Sequence, residues 1–235
     1  MDLIESLEGN PIDHWYYWNK YKYVEKNMPI TVSKIADIGA GSALFSKQLL
    51  LDKKIKEVQA IDTNYTDDTL KNSDSQITYL KSISDFRGIQ LVLLTDVIEH
   101  VEHDLLFMKE LVNRVEEGTY FLITVPAHMM LWSSHDDYLH HFRRYNKEGL
   151  IKLLSEVELT INKQQYIFGI LFPIVFILRK IRKKSLKSDL KNHSFLVNSL
   201  MKILLYFDSP ISRFLPFGVS IIVKARKISK NIDLV

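Results

Sequence analysis

The stretch "SKIADIGAGSALFSKQLL", Ser33 to Leu50, decides how this 235-residue chain folds. It joins an apolar run carrying one acid, Asp37, to an amphipathic run, and between them it sets two of the chain's eight glycines, Gly39 and Gly41, one residue apart. A strand, a tight turn and a helix in that order open a doubly wound α/β sheet, in which ligands bind beyond the carboxyl ends of the strands. Glycine lets the backbone bend sharply and lets a ligand approach without a Cβ in the way, while the N–H groups of the following helix face it. A lone G-x-G is also an ordinary tight turn, so its meaning rests on its surroundings.

Those surroundings alternate short apolar runs with helical periodicity. Strands are predicted at "KIADI" (34–38), "EVQAI" (57–61), "ITYL" (77–80), "QLVLL" (90–94), "TYFLITV" (119–125), "ELTINKQQYI" (158–167) and "GVSIIVKA" (218–225). "SALFSKQLLLDK", "DLLFMKELVNRVEE" and "NKEGLIKLLSEV" carry apolar residues three and four apart, as crossover helices do. The pattern predicts one α/β domain with a doubly wound, mostly parallel seven-stranded sheet. Its expected parts are an aromatic helical cap over 1–32, a core over 33–167, a basic amphipathic helical insertion over 168–217 and a last strand over 218–227.

Composition narrows the chemistry. With no cysteine, a thiol nucleophile, a thiolate zinc site and a protein-bound iron–sulfur cluster are all excluded. The opening "MDLIESLEGN" is acidic and lacks the pattern of a signal peptide, so a cytoplasmic protein is expected. The net charge of +3 hides an asymmetry: 16 Lys and Arg stand against 23 Asp and Glu up to Leu150, and 15 against 5 beyond it. The basic C-terminal third calls for an anionic partner.

The dinucleotide fingerprint wants a third glycine where this chain has Leu44, which disfavours a nicotinamide or flavin dinucleotide. The second strand ends in "AIDTN", and Asp62 falls roughly twenty residues after the glycines, where a carboxylate accepts hydrogen bonds from ribose hydroxyls. A nucleoside with free 2′ and 3′ hydroxyls fits; a capping or solvent-facing Asp is the plain alternative. In "LTDVIEHV" (94–101) a helix start is equally legible, with Asp96 as cap and Glu99 completing a capping box.

Taken in order, these pieces resemble the class I S-adenosylmethionine-dependent methyltransferases, in particular the ubiquinone/menaquinone-methyltransferase-like superfamily. "IADIGAGSA" resembles the first motif, with the usual last glycine replaced by Ala43, and "AIDTN" resembles the acidic second motif. "LTDVIEHV" resembles the fourth-strand motif, and "FLITVPAH" the fifth strand. The resemblance implies a Rossmann-like methyltransferase fold with S-adenosylmethionine as cofactor and S-adenosylhomocysteine as product. It implies that Asp37 faces the cofactor's ammonium, that Gly39 and Gly41 pass under its methionine and ribose, and that Asp62, with Thr63 beside it, holds the ribose. Ser82, Ile83 and Ser84 would border the adenine, and Thr95, Asp96 and Val97 the methionine end. "HWYYWNKYKYVEK" resembles a helix that folds over the cofactor, with Lys20 where an Arg is expected, a change that loses bidentate carboxylate recognition. An aromatic helix face packed on the core is its other reading.

After the fifth strand, "VPAHMMLWSSHDDYLHHFRRY" (125–145) holds half of the chain's 8 histidines. Segments there lie at the ligand end of the sheet and are expected to line the acceptor pocket. Methyl transfer to a hydroxyl needs a base, and His135 or His141 is the expected one. Arg143 and Arg144 are expected to hold a carboxylate or phosphate of the acceptor, with Arg144 in the catalytic set. Zinc or manganese could use such residues, but the spacing follows no metal motif and no metal is expected.

The insertion joins "YIFGILFPIVFILRKIRKKSLKSDLKN" to "FLVNSLMKILLYFDSPISRFLPF". Its apolar part is shorter than the roughly 20 residues of a membrane span, and Pro173 interrupts it. It could cap the site, pair two copies, or lie on an anionic membrane through 168–191. The expected function is methyl transfer to a small-molecule or lipid- or glycan-linked acceptor, with a non-catalytic nucleoside- or partner-binding module as the alternative. Nucleic acid is not an expected partner, because the fourth strand lacks the D/N-P-P-Y type motif and no cysteine is present for cytosine C5 chemistry.

Overall fold

The computed structural model describes residues 10–52, 54–83, 85–181 and 194–228. Ser84, residues 182–191 of the basic stretch and the first nine residues of the expected cap lie outside the described residues.

Seven strands form one sheet: β1 (Lys34–Ile38), β2 (Glu57–Ile61), β3 (Ile77–Leu80), β4 (Leu91–Thr95), β5 (Tyr120–Pro126), β6 (Leu159–Ile167) and β7 (Ser220–Lys227). They begin and end within two residues of the bounds expected from the sequence. β1, β4 and β5 lie in the middle of the sheet and bury nearly every residue, which is why they read as mainly apolar runs, with Asp37 in β1 and Thr124 in β5, rather than alternating ones. The order is β3-β2-β1-β4-β5-β7-β6, with β7 antiparallel to both its neighbours and the other pairs parallel. The chain therefore has the expected doubly wound, mostly parallel sheet. The order reverses between β1 and β4, and the crevice at their carboxyl ends is the place where such sheets take a ligand.

The helices are α1 (Trp15–Asn27), α2 (Leu44–Leu51), α3 (Asp67–Lys71), α4 (Asp104–Arg114), α5 (Ser134–Tyr138), α6 (Lys147–Glu156), α7 (Phe172–Ile181), α8 (Phe195–Tyr206) and α9 (Asp208–Ser212). Alternation along the strands splits the core in two. Ile35 and Leu93 pack with Tyr17 and Tyr21 of α1 and Phe45 and Leu49 of α2, while Val92 and Leu94 pack with Met108 of α4 and Leu150 of α6. Each fully buried Leu or Ile contributes about 1.5–3 kcal/mol.

Among the described residues, α1 of the expected cap meets α8 of the expected insertion, and Asn198 ties them by accepting from the Trp15 N–H at 2.7 Å and donating to the Asp13 carbonyl at 2.7 Å. This satisfies one of the N–H groups that a helix start leaves open. In α9, Asp208 is fully buried and accepts from the backbone N–H groups of Phe168 and Ile170, both at 2.8 Å, and from the Tyr23 hydroxyl. Three donors around one buried carboxylate pin α9 to α1 and to the segment that follows β6.

Candidate functional site

The turn after β1 needs its glycines. Gly39 has φ +63° and Gly41 φ +54°, and a Cβ on Gly39 would meet Val97 Cγ2 at 2.8 Å. The turns after β1 and β4 are thus pressed together. Ala43, where the motif it resembles has a glycine, also takes the left-handed conformation, with φ 55° and ψ 34°. Left-handed backbone costs a residue with a Cβ about 1–2 kcal/mol, so the sequence departs from the motif at a position where the backbone still favours glycine.

Asp62, at the end of β2, reaches back to that turn. Its Oδ2 accepts from the Gly41 N–H at 2.9 Å and its Oδ1 from the Asn64 N–H at 2.9 Å. A carboxylate has about four lone-pair sites, so capacity remains for ribose hydroxyls. Thr63 beside it is exposed. Asp37, at the end of β1, is buried and accepts from the Ser46 hydroxyl, while its Oδ1 has no partner. Burial pushes its carboxyl up to about 6, opposed by the Ser46 hydrogen bond and assisted by the charge of Asp62. A buried acceptor left unpaired costs about 1–3 kcal/mol, which a donor on a ligand recovers.

Along the rest of the strand ends, Ser82 is exposed and Ile83 is half-buried against the second core. Thr95 is buried. Asp96 takes φ 54°, and its carboxylate pairs with Lys20 Nζ and accepts from Thr124 Oγ1 at 3.1 Å. Lys20 is 1% exposed and also donates to the Tyr16 hydroxyl at 3.2 Å, so this lysine ties α1 to the end of β4. The capping box expected at "DVIEHV" does not form. Residues Ile98–His100 make a short 3-10 turn whose cap, Val97, has no side-chain acceptor, and Glu99 turns into the protein. Asp96 cannot cap because its carboxylate is held by Lys20 and Thr124.

Glu99 is fully buried, and neither carboxylate oxygen accepts from another residue. Burial pushes its carboxyl up to about 8, against the nearby charges of Lys20 and Arg144. One coordinating atom from each of Glu99, His100 and His141 lies within 4.8 Å of the others. The His100 and His141 rings meet edge-on with centroids 4.6 Å apart. His141 Nδ1 lies 3.0 Å from Asp136 Oδ1.

Asp136 organises the segment after β5. It is fully buried, completes a capping box with Ser133 at the start of α5, takes Arg144 Nε on Oδ1 at 2.6 Å and meets Arg179 of α7 at 3.5 Å. Although burial alone would raise it, the His141 hydrogen bond and the Arg144 and Arg179 charges hold this carboxyl well below the usual range. Arg144 also donates to the Ala127 carbonyl at 3.1 Å and is buried. Arg143 pairs with Asp104 at 2.8 Å. His135 is half-buried on α5 and lies outside the Glu99 cluster.

A cavity of about 400 Å³ opens beside this segment, lined by His128, Met130, Arg144, Tyr145 and Asn146 among others. Another of about 340 Å³ flanks the glycine turn, lined by Gly41, Ser42, Asn64 and Tyr65 among others. Sequence reading missed two residues here. Asp136 was one acid among several polar neighbours, and its hub role depends on Arg179, 43 residues away. Glu99 carries a signal, an acid–histidine pair four residues past a mainly apolar strand, that also suits a cap.

A seven-stranded sheet of this order with a glycine turn and acidic ends on β1 and β2 is the class I fold of S-adenosylmethionine-dependent methyltransferases. Solved structures agree. A chain of the complex between the Haloferax volcanii Trm112 methyltransferase activator and a methyltransferase superposes with a TM-score of 0.59 at 13% identity, covering 90% of both chains. An S-adenosylmethionine-dependent methyltransferase from Mesorhizobium loti gives 0.58 at 12% identity over 89% of this chain and 98% of its own. Phosphoethanolamine N-methyltransferase 2 of Haemonchus contortus, solved with S-adenosylmethionine, gives 0.58 at 17% identity over 90% of this chain and 53% of its own. No family model matches the chain, and no curated protein matches it significantly in sequence.

Proposed function

We propose that this protein is an S-adenosylmethionine-dependent methyltransferase acting on a lipid- or glycan-linked acceptor at an anionic membrane surface. The observation that carries the cofactor reading is the pair of acids at the ends of β1 and β2: Asp62 braces the glycine turn with capacity to spare, and Asp37 holds out a buried, unpartnered Oδ1. These groups fit an ammonium and a ribose. Asp37 would take the ammonium, Gly39 and Gly41 would lie under the methionine and ribose, and Asp62 with Thr63 would hold the ribose hydroxyls. Ser82 and Ile83 would border the adenine, and Thr95, Asp96 and Val97 the methionine end, with Lys20 close to the cofactor carboxylate. Bound there, the cofactor supplies an electrophilic methyl on a sulfonium. His135 or His141 would take the acceptor proton.

The ionisation of Asp37 sets a pH dependence. Its partners are the Ser46 hydroxyl from α2 and the nearby acidic groups of Asp62 and Tyr65. Only the ionised carboxyl attracts an ammonium, so affinity for S-adenosylmethionine is flat well above pH 6 and falls below it, approaching tenfold per pH unit. Calorimetric titrations between pH 5 and 8 read this directly. Affinity that is unchanged across that range, or that falls as pH rises, removes Asp37 from the ammonium site.

The acceptor reading rests on the insertion. α7 and α8 leave Ile174, Ile177, Ile181, Leu196, Leu200 and Ile203 exposed, more apolar surface than a soluble face ordinarily carries. They belong to the basic third of the chain, and no described helix is long and apolar enough to cross a membrane. Apolar side chains beside Lys and Arg suit a surface-lying element on anionic lipid. Cosedimentation with phosphatidylglycerol vesicles should capture most of the protein at low salt, less at 0.5 M salt, and little with phosphatidylcholine alone. Equal behaviour with both vesicles, or no capture, overturns the membrane reading.

A further inference from the structure

We propose that Glu99, His100 and His141 form a site for one divalent transition-metal ion, with an open position for a hydroxyl oxygen of the acceptor. The part concerning the acceptor rests on the methyltransferase reading above; the metal site does not.

Three observations converge. First, the coordinating atoms of the three residues already lie within 4.8 Å of one another, without an ion to gather them. Second, Glu99 is fully buried, one of its carboxylate oxygens faces that space, and neither oxygen has a donor from another residue. A buried polar group without a partner is costly, and a cation removes the cost. Lys20 and Arg144 are close enough for their charges to act on Glu99, but their hydrogen bonds go to other acceptors, Lys20 to Asp96 and Arg144 to Asp136 and the Ala127 carbonyl. Third, His141 presents Nδ1 to Asp136 at 3.0 Å. Metal-binding histidines ordinarily give their second nitrogen to a carboxylate, which fixes the ring and leaves the other nitrogen to coordinate. Here that leaves Nε2.

Two imidazoles and one carboxylate are a donor set for zinc, iron(II) or manganese, and three protein ligands leave positions open. Glu99 and His100 lie in the short turn after β4, and His141 comes from the segment after β5, so the site is built from the segments that leave the carboxyl ends of β4 and β5. A divalent ion there lowers the pKa of a hydroxyl bound to it. The hydroxyl proton passes to solvent, and in transfer the oxygen–methyl bond forms as the sulfur–methyl bond breaks, leaving a neutral thioether. With both nitrogens of His141 engaged, the ion then activates the oxygen acceptor in place of a His141 base.

The test uses the full-length protein stripped with chelator and titrated with Zn²⁺ or Mn²⁺ alone, without S-adenosylmethionine. One equivalent should bind, and the near-isosteric Glu99→Gln and the His141→Ala variant should each weaken binding by more than about 100-fold, beyond the 10–100-fold of an outer-shell change such as Asp136→Asn. Co²⁺ added to the wild-type protein should give visible absorption bands characteristic of imidazole ligation, a readout that survives if a variant fails to fold. No stoichiometric binding and no cobalt bands, or binding untouched by both substitutions, overturns the site. Metal binding without S-adenosylmethionine binding would retain the site and remove the methyltransferase reading; the reverse would do the opposite.

Discussion

Asp62→Ala is expected to abolish measurable S-adenosylmethionine binding in calorimetry, with a loss of at least about 100-fold. Each hydrogen bond from a ribose hydroxyl to an ionised carboxylate contributes about 1.5–3 kcal/mol, so losing two removes about 3 kcal/mol or more. Asp62 has a second role that adds to this. Its Oδ2 holds the Gly41 N–H and its Oδ1 the Asn64 N–H, so truncation also frees the turn over which the cofactor is expected to lie. Asp62→Asn keeps one acceptor and is expected to lose less. Wild-type affinity in Asp62→Ala would move the nucleoside away from β2 and leave the carboxylate as a brace for the turn.

Asp136→Ala is expected to have the largest effect on stability, about 3–5 kcal/mol, measured by urea unfolding. Removing one member of a buried ion pair leaves the other charge uncompensated, and that is what makes such losses large. Arg144 is buried and has Asp136 as its acid. The same substitution removes the capping box of α5 and the acid that meets Arg179 from α7. Against a total stability of about 5–15 kcal/mol, the loss is severe. The sign with pH follows from the depressed carboxyl. The contribution is fully present above the ordinary aspartate range near pH 4 and is lost only at lower pH, as the folded carboxyl protonates. A loss below about 1 kcal/mol would mean that water already screens the network.

The fold was legible in the sequence where burial is two-sided. β1, β4 and β5 are covered on both faces, so apolar residues dominate them, with Asp37 and Thr124 the polar residues within the runs, and their positions can be read residue by residue. The turn glycines, Asp37 and Asp62 were legible for a related reason: polar or Cβ-less residues at fixed offsets from an apolar strand have few structural uses. Ala43 shows the limit of a motif, since a one-methyl departure there left the left-handed turn intact. The acceptor side was less legible because its partners are distant in sequence. Lys20 reaches Asp96 across 76 positions, and Arg144 looks available in the sequence but is enclosed with Asp136. Glu99 fitted a capping box by spacing, yet the 3-10 turn after β4 is too short to present it that way.

The central claim is that the glycine turn and its two acids hold S-adenosylmethionine. Isothermal titration of the wild-type protein with S-adenosylmethionine, S-adenosylhomocysteine and NAD at pH 7.5 tests it most directly. The account predicts one site of micromolar affinity for the first two and no heat with NAD. Binding of NAD, or of none of the three, would contradict it.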